Sequence, residues 1–309
     1  GAHIGLLARG PEGLQATRKE IEARGGKALA LPVDVANAEQ VDAAAAAIEQ
    51  NLGPIDIWVN NAMTAVFSPV KEMTADEFRR VTEVTYLGCV NGTLAALRRM
   101  LRRNSGVIVQ VGSALAYRGI PLQASYCGAK HAIQGFTESL RCELLHDRSR
   151  VRVIVVQMPG LNTPQFSWVR SRLSKKPQPV PPIFQPEVAA DAITWAARHN
   201  RPEVYVGWPT VKTIIGNKVA PRLVDIYLAK NGYESQLTNV PESQNRPDNL
   251  WQPVYGDHGA RGVFDARAHN RSWQFWLNKN KNFLLPLPAL LLSALAGSAW
   301  LWSNAKKMR

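Results

Sequence analysis

Cysteine is scarce. The 309 residues hold three, Cys89, Cys127 and Cys142, an odd number without C-x-x-C spacing, so neither a disulfide framework nor a zinc site is indicated. Free thiols in a reducing compartment are the expectation. The six histidines form no H-x-x-x-H or H-E-x-x-H arrangement, which removes the usual zinc-hydrolase patterns. Gly1 is not followed by a basic stretch and an apolar run, so no secretory signal is expected. Acidic residues are few, 24 against 37 Lys and Arg, and the formal net charge is +13. That balance suits a polyanion, a phosphate-rich cofactor or an anionic membrane. The basic residues are scattered pairs such as Arg79 and Arg80 or Arg98 and Arg99, without interleaved aromatics or a zinc-finger or RNA-recognition signature. Nucleic acid is therefore not an expected partner.

What is abundant is apolar material, 46% of the chain, with near-average Gly (22) and Pro (20). This excludes disordered, collagen-like and low-complexity classes. Apolar strand-like runs fall at residues 2–8, 28–33, 55–59, 107–111, 151–156 and 204–206. Helical stretches separate them at 11–24, 37–52, 74–101, 122–145 and 186–197. Strands that are apolar at every position and alternate with long helices indicate a parallel sheet covered on both faces. The expected fold is α/β, a doubly wound, Rossmann-like parallel sheet over residues 1–208. Residues 209–282 lose periodicity and read as an extended tail. Residues 283–305 lack charge and end beside Lys306 and Lys307. A helix over 287–302 would be about 24 Å long, short of the ~30 Å hydrocarbon core, although starting at residue 283 would reach it. Trp300 and Trp302 beside the basic terminus suggest an interfacial anchor. A membrane-associated apolar helix is expected there, with a packing helix as the alternative.

Tyr126 and Lys130 lie four apart in a helical stretch and so share one face. An ammonium there favours the phenolate and would lower the tyrosine pKa, as a general acid or base requires. Alone the pair is weak. Ser113 strengthens it, because it ends a buried strand, where doubly wound sheets place ligands. Asn60-Asn61-Ala62 ends the preceding strand.

With Asp34-Val35, Asn60-Asn61-Ala62, Gly112-Ser113, Tyr126-x-x-x-Lys130, Pro159-Gly160 and Thr163 in order, residues 1–210 resemble the short-chain dehydrogenase/reductase family. The resemblance implies hydride transfer between a nicotinamide cofactor and a carbonyl or alcohol carbon. It implies that Tyr126 moves the proton, that Ser113 hydrogen-bonds the substrate oxygen, and that Lys130 binds the nicotinamide ribose. Asp34 and Val35 would receive the adenine, Asn60, Asn61 and Ala62 would line the cofactor, and Thr163 after Pro159-Gly160 would approach the nicotinamide amide or the phosphates. It also implies a homo-oligomer. The first strand present ends in Leu7-Ala8-Arg9. An arginine there accommodates a 2′-phosphate where an acid would hold a free 2′-hydroxyl, so NADP(H) is favoured over NAD(H). A hydrophobic alcohol or ketone is the expected substrate, with residues 161–182 building its pocket.

Two departures stand out. Family members often carry an asparagine in the proton relay, and Thr85 occupies that place. The glycine-rich turn after the family's first strand is absent, which predicts a chain beginning inside a longer one by about 25 residues, the length of a strand and helix. The missing strand would sit in the centre of the sheet. The rival reading is a catalytically silent binding or scaffold protein. Localisation is expected to be cytoplasmic or at the cytoplasmic face of a membrane.

Overall fold

The computed structural model describes residues 1–243 and 245–280. The first unit is β1 (His3–Ala8), α1 (Pro11–Ala23), β2 (Lys27–Pro32) and α2 (Ala38–Leu52). Pro11 starts α1, where its missing N–H costs nothing, and the Asn37 side chain caps α2 by accepting from the Gln40 N–H. The second unit runs through β3 (Ile57–Asn60), β4 (Val66–Phe67), α3 (Ala75–Val81), α4 (Gly88–Arg103), β5 (Val107–Ser113), α5 (Ala124–His146) and β6 (Arg152–Met158). A short helix α6 (Gln165–Trp168) and strands β7 (Arg170–Ser171), β8 (Lys175–Pro177) and β9 (Ile183–Phe184) precede α7 (Pro186–Arg198) and β10 (Glu203–Tyr205). The chain continues as α8 (Trp208–Val219), α9 (Pro221–Asn231), β11 (Leu237–Pro241), β12 (Ala268–His269) and α10 (Trp273–Lys279).

The main sheet is parallel, in the order β10-β6-β5-β3. Its residues alternate between two cores, because successive strand side chains point to opposite faces. Ile108 and Val153 pack with α2, α4 and α5, whereas Val107, Val109, Ile154 and Val156 pack with α7 and Phe275 of α10. Helices therefore cover both faces, as the uninterrupted apolar runs require.

The sheet is interrupted in its middle. β1 pairs with β2, with His3 opposite Lys27 and Ala8 opposite Pro32, and among the described residues neither strand pairs with β3. Leu7, Leu29 and Leu31 nonetheless join the core built on α2, so side chains hold the two halves together without a backbone ladder. Residues of β1 and β3 face one continuous opening, and Ile57 and Val59 of β3 stay 48% and 41% exposed.

Two expectations change. The single helix over 74–101 is divided by a π-helical segment, Thr82–Leu87. Residues 209–243 and 245–280, the described part of the expected tail at 209–282, are not an extended tail. They begin with two helices, and β11 and β12 pair with β8 and β9. Leu250 and Phe275 are fully buried against the first 200 residues. Sparse apolar anchors in a polar segment give little periodicity, yet each fills a core site. No helix among the described residues is long and apolar enough to cross a membrane; the helix expected at 283–305 lies outside them.

Candidate active site

Ser113 ends β5, and Tyr126 and Lys130 project from the first two turns of α5. All three border one cleft of about 2320 Å³, more than twice the upper end of ordinary ligand pockets at roughly 1,000 Å³ because it includes the opening between β1 and β3. Lys130 is almost fully buried. Its Nζ lies 5.6 Å from the Tyr126 ring centroid and donates to the Val111 carbonyl at 2.6 Å. Burial pulls the ammonium down to about 8, with Cys89 opposing, so it keeps its proton at neutral pH. Burial raises the Tyr126 phenol, while a hydrogen-bonding contribution from Ser113 acts in the opposite direction. The helical spacing thus places the pair correctly, but lowering of the phenol by Lys130 is not what the geometry delivers. Desolvation outweighs it, and the lysine is tied to a carbonyl.

Ser113 is fixed by residues that the sequence reading missed. Its N–H donates to Gln157 Oε1 at 2.7 Å, and its Oγ accepts from the Leu115 N–H at 3.1 Å. The Ser113 hydroxyl also lies within hydrogen-bonding reach of the Tyr126 phenol. Gln157, wholly buried on β6, donates through Nε2 to Gln134 Oε1 at 3.0 Å and Glu203 Oε1 at 2.7 Å. Those two acceptors fix which amide atom faces Ser113. The same carboxylate accepts from Tyr117 at 2.7 Å and Tyr205 at 3.1 Å. A glutamine inside an otherwise apolar strand was the available signal, since a buried amide needs partners.

The candidate cofactor residues Arg9, Asp34, Val35, Asn60, Asn61, Ala62, Pro159, Gly160 and Thr163 all border the cleft, but several polar groups are already engaged. Arg9 donates to the carbonyls of Asn249, Leu250 and Trp251. Asp34 pairs with Arg80 at 2.6 Å, and Arg80 Nε donates to the Leu250 carbonyl at 3.1 Å. Burial raises the Asp34 carboxyl, yet the Arg80 and Ala36 hydrogen bonds outweigh it and hold it below the ordinary carboxylate range. Asn60 is spent on structure: Oδ1 accepts from Trp58 Nε1, and Nδ2 donates to Thr93 and Gln110. Thr85 does not border the cleft. Its hydroxyl donates to the Thr64 carbonyl at 3.0 Å and accepts from the Thr64 N–H at 3.1 Å, so it pins the strand-to-helix crossing rather than facing Lys130.

A serine at a strand end and a Tyr-x-x-x-Lys pair across a parallel-sheet cleft define a nicotinamide-dependent oxidoreductase acting on CH–OH groups. Comparison with known proteins agrees. Residues 1–173 match the short chain dehydrogenase family, and the oxidoreductase YxnA of Bacillus subtilis is 30% identical over 100% of this chain and 85% of its own length. The chain belongs to the short-chain dehydrogenase family. The ketoacyl reductase HetN of a Nostoc species is 27% identical over 66% of this chain and 70% of its own. A short chain dehydrogenase from Burkholderia cenocepacia, solved in complex with NADP, is 26% identical with a TM-score of 0.57, covering 74% of this chain and 98% of its own. A short-chain dehydrogenase from Streptomyces avermitilis, at 22% identity and a TM-score of 0.61 over 76% of this chain and 91% of its own, shares the fold.

Proposed function

We propose that the cleft reduces a hydrophobic carbonyl compound with NADPH, or oxidises the corresponding alcohol with NADP⁺. The observation carrying this reading is the convergence of Ser113, Tyr126 and Lys130 on one cleft wall. The cofactor, when bound, supplies or accepts the hydride. Tyr126 Oη gives its proton to the substrate oxygen in reduction and takes it back in oxidation. Ser113 Oγ, at the end of β5 in the same cleft, holds that oxygen by donating its hydroxyl proton. Lys130, still charged at neutral pH and held by the Val111 carbonyl, orients the nicotinamide ribose.

The residues fit the cofactor unevenly. At the reacting end Gly160 lets the loop after β6 pack against the 179–180 segment, since a Cβ there would stand 2.7 Å from the Val180 carbonyl oxygen. At the other end we assign the 2′-phosphate to Arg9, which would have to exchange the carbonyls of residues 249–251 for that ligand. The Phe166 and Trp168 side chains and the Pro179–Pro182 stretch line the cleft, which favours an apolar substrate. Leu87 at the end of the π-helical segment and Leu94 and Leu101 on α4, seven residues apart and exposed, favour association with a second copy of the chain.

Tyr126→Phe tests the assignment. NADPH oxidation with a panel of hydrophobic ketones is expected to fall by at least about a hundredfold, general acid catalysis being worth roughly 10²–10⁴. Cofactor affinity should stay nearly unchanged. Equal turnover in the variant would refute the proton transfer, and cofactor binding without turnover in either protein would favour the silent scaffold.

A further inference from the structure

Helices α8 and α9 carry an apolar surface that the reaction does not use. Trp208, Ile215 and Val219 recur at helical spacing on α8, and Leu223, Ile226 and Tyr227 do so on α9. All six are exposed, Val219 to 78% and Leu223 to 67%. No residue of α9 is buried. The two helices pack on each other and join at Ala220, and Trp208 of one and Tyr227 of the other lie at the rim of the cleft. Contiguous apolar surface of this kind on a folded domain marks an interaction site.

Its charge has one sign. Lys212, Arg222 and Lys230 are exposed on the same helices and pair with no acid among the described residues. The single acid of the hairpin, Asp225, is taken by Arg118. A second copy docked face to face would bring these cations together, which opposes self-association. An anionic lipid surface answers both features. Cations meet headgroups, while Trp, Tyr, Ile and Leu side chains enter the boundary with the acyl chains. Trp208, Lys212 and Tyr227 also border the catalytic cleft, so the face and the cleft mouth share residues.

We infer that the α8–α9 hairpin docks on an anionic membrane surface, with the cleft mouth opening toward the lipid. This contact is separate from the apolar run at 283–305, and it does not depend on which residues transfer the proton. A substrate dissolved in the bilayer would then reach Ser113 and Tyr126 without crossing water.

The full chain is tested with phosphatidylcholine vesicles, with and without phosphatidylglycerol. An environment-sensitive fluorophore is placed through Val219→Cys in a Cys142→Ser background, and through Lys19→Cys on α1 as a control. The expected result is co-sedimentation favouring the phosphatidylglycerol vesicles, with a blue shift of the probe at position 219 and none at position 19. Ile215→Asp with Leu223→Asp should weaken partitioning by at least about tenfold, two side chains' worth of apolar burial, while thermal unfolding stays unchanged. Sedimentation with the probe at 219 still in water would put the contact elsewhere and overturn the inference. So would absence of sedimentation, or a dimer in light scattering that the two aspartates dissociate.

Discussion

Gly112→Ala is expected to damage stability and catalysis together, through one atom. A Cβ at residue 112 would lie 2.3 Å from Gln157 Oε1 and 2.8 Å from Val155 Cγ1. Neither neighbour has room to yield, because Gln157 is held by Gln134 and Glu203 and Val155 lies inside the sheet. Overpacking a core in this way costs about 1–3 kcal/mol. Displacing Gln157 also strands the Ser113 N–H, a buried donor worth about 1–3 kcal/mol when unpaired. The combined loss is ~2–6 kcal/mol, read as a shift of the urea midpoint at unchanged m-value. Gly128→Ala is the matched control, since a Cβ there meets nothing within 4 Å and alanine in a helix interior gains about 0.5–1 kcal/mol over glycine. If Gly112→Ala unfolds within about 1 kcal/mol of wild type, or retains wild-type turnover, the claim that Gln157 fixes Ser113 is wrong.

Other substitutions test the remaining contacts. Lys130 has a folded pKa of about 8 against 10.5 for the free side chain, so its charged form is disfavoured by folding and stability should rise with pH between these values. The gain, at most ~3 kcal/mol, should vanish in Lys130→Met, measured by urea unfolding from pH 7.5 to 10.5; parallel curves for the two proteins would contradict it. Thr85→Val leaves the buried N–H and C=O of Thr64 without partners and should destabilise by about 2–6 kcal/mol, whereas Thr85→Ser should keep near-wild-type kcat and KM. A large kcat loss in the serine variant would instead argue for a direct role in proton relay. Arg9→Ala should lower the ratio of kcat/KM for NADPH over NADH by about tenfold or more, the worth of a charge-assisted contact, and an unchanged ratio would remove Arg9 from cofactor choice.

Legibility in the sequence followed the range of each interaction. The strands of the main sheet announce themselves because Val107 to Val111 and Val151 to Val156 are apolar at nearly every position, a local signature of burial on both faces. Tyr126 and Lys130 are legible because one helical turn fixes their proximity. The engagement of Asn60 was not legible, because its partners Thr93 and Gln110 are 33 and 50 residues away. The anchoring of residues 209–243 and 245–280 by a few buried side chains escaped notice for a related reason. Leu250 and Phe264 are isolated apolar residues in polar surroundings, and only the pockets they fill reveal their weight. Gln157 needed Glu203 and Gly112 in view before its purpose could be read.

The opening between β1 and β3 inverts the usual distribution of rigidity. In most α/β proteins the central amides are the last to exchange with deuterated solvent, since global unfolding is required to free them. Here the two strands at the middle present unladdered edges to the cleft, and the halves are tied across it by side chains: the core around α2, Arg9 on the carbonyls of residues 249–251 and Asp34 on Arg80. The slowest-exchanging amides therefore belong to β5 and β6, off to one side, and the geometric centre of the molecule is its most compliant seam.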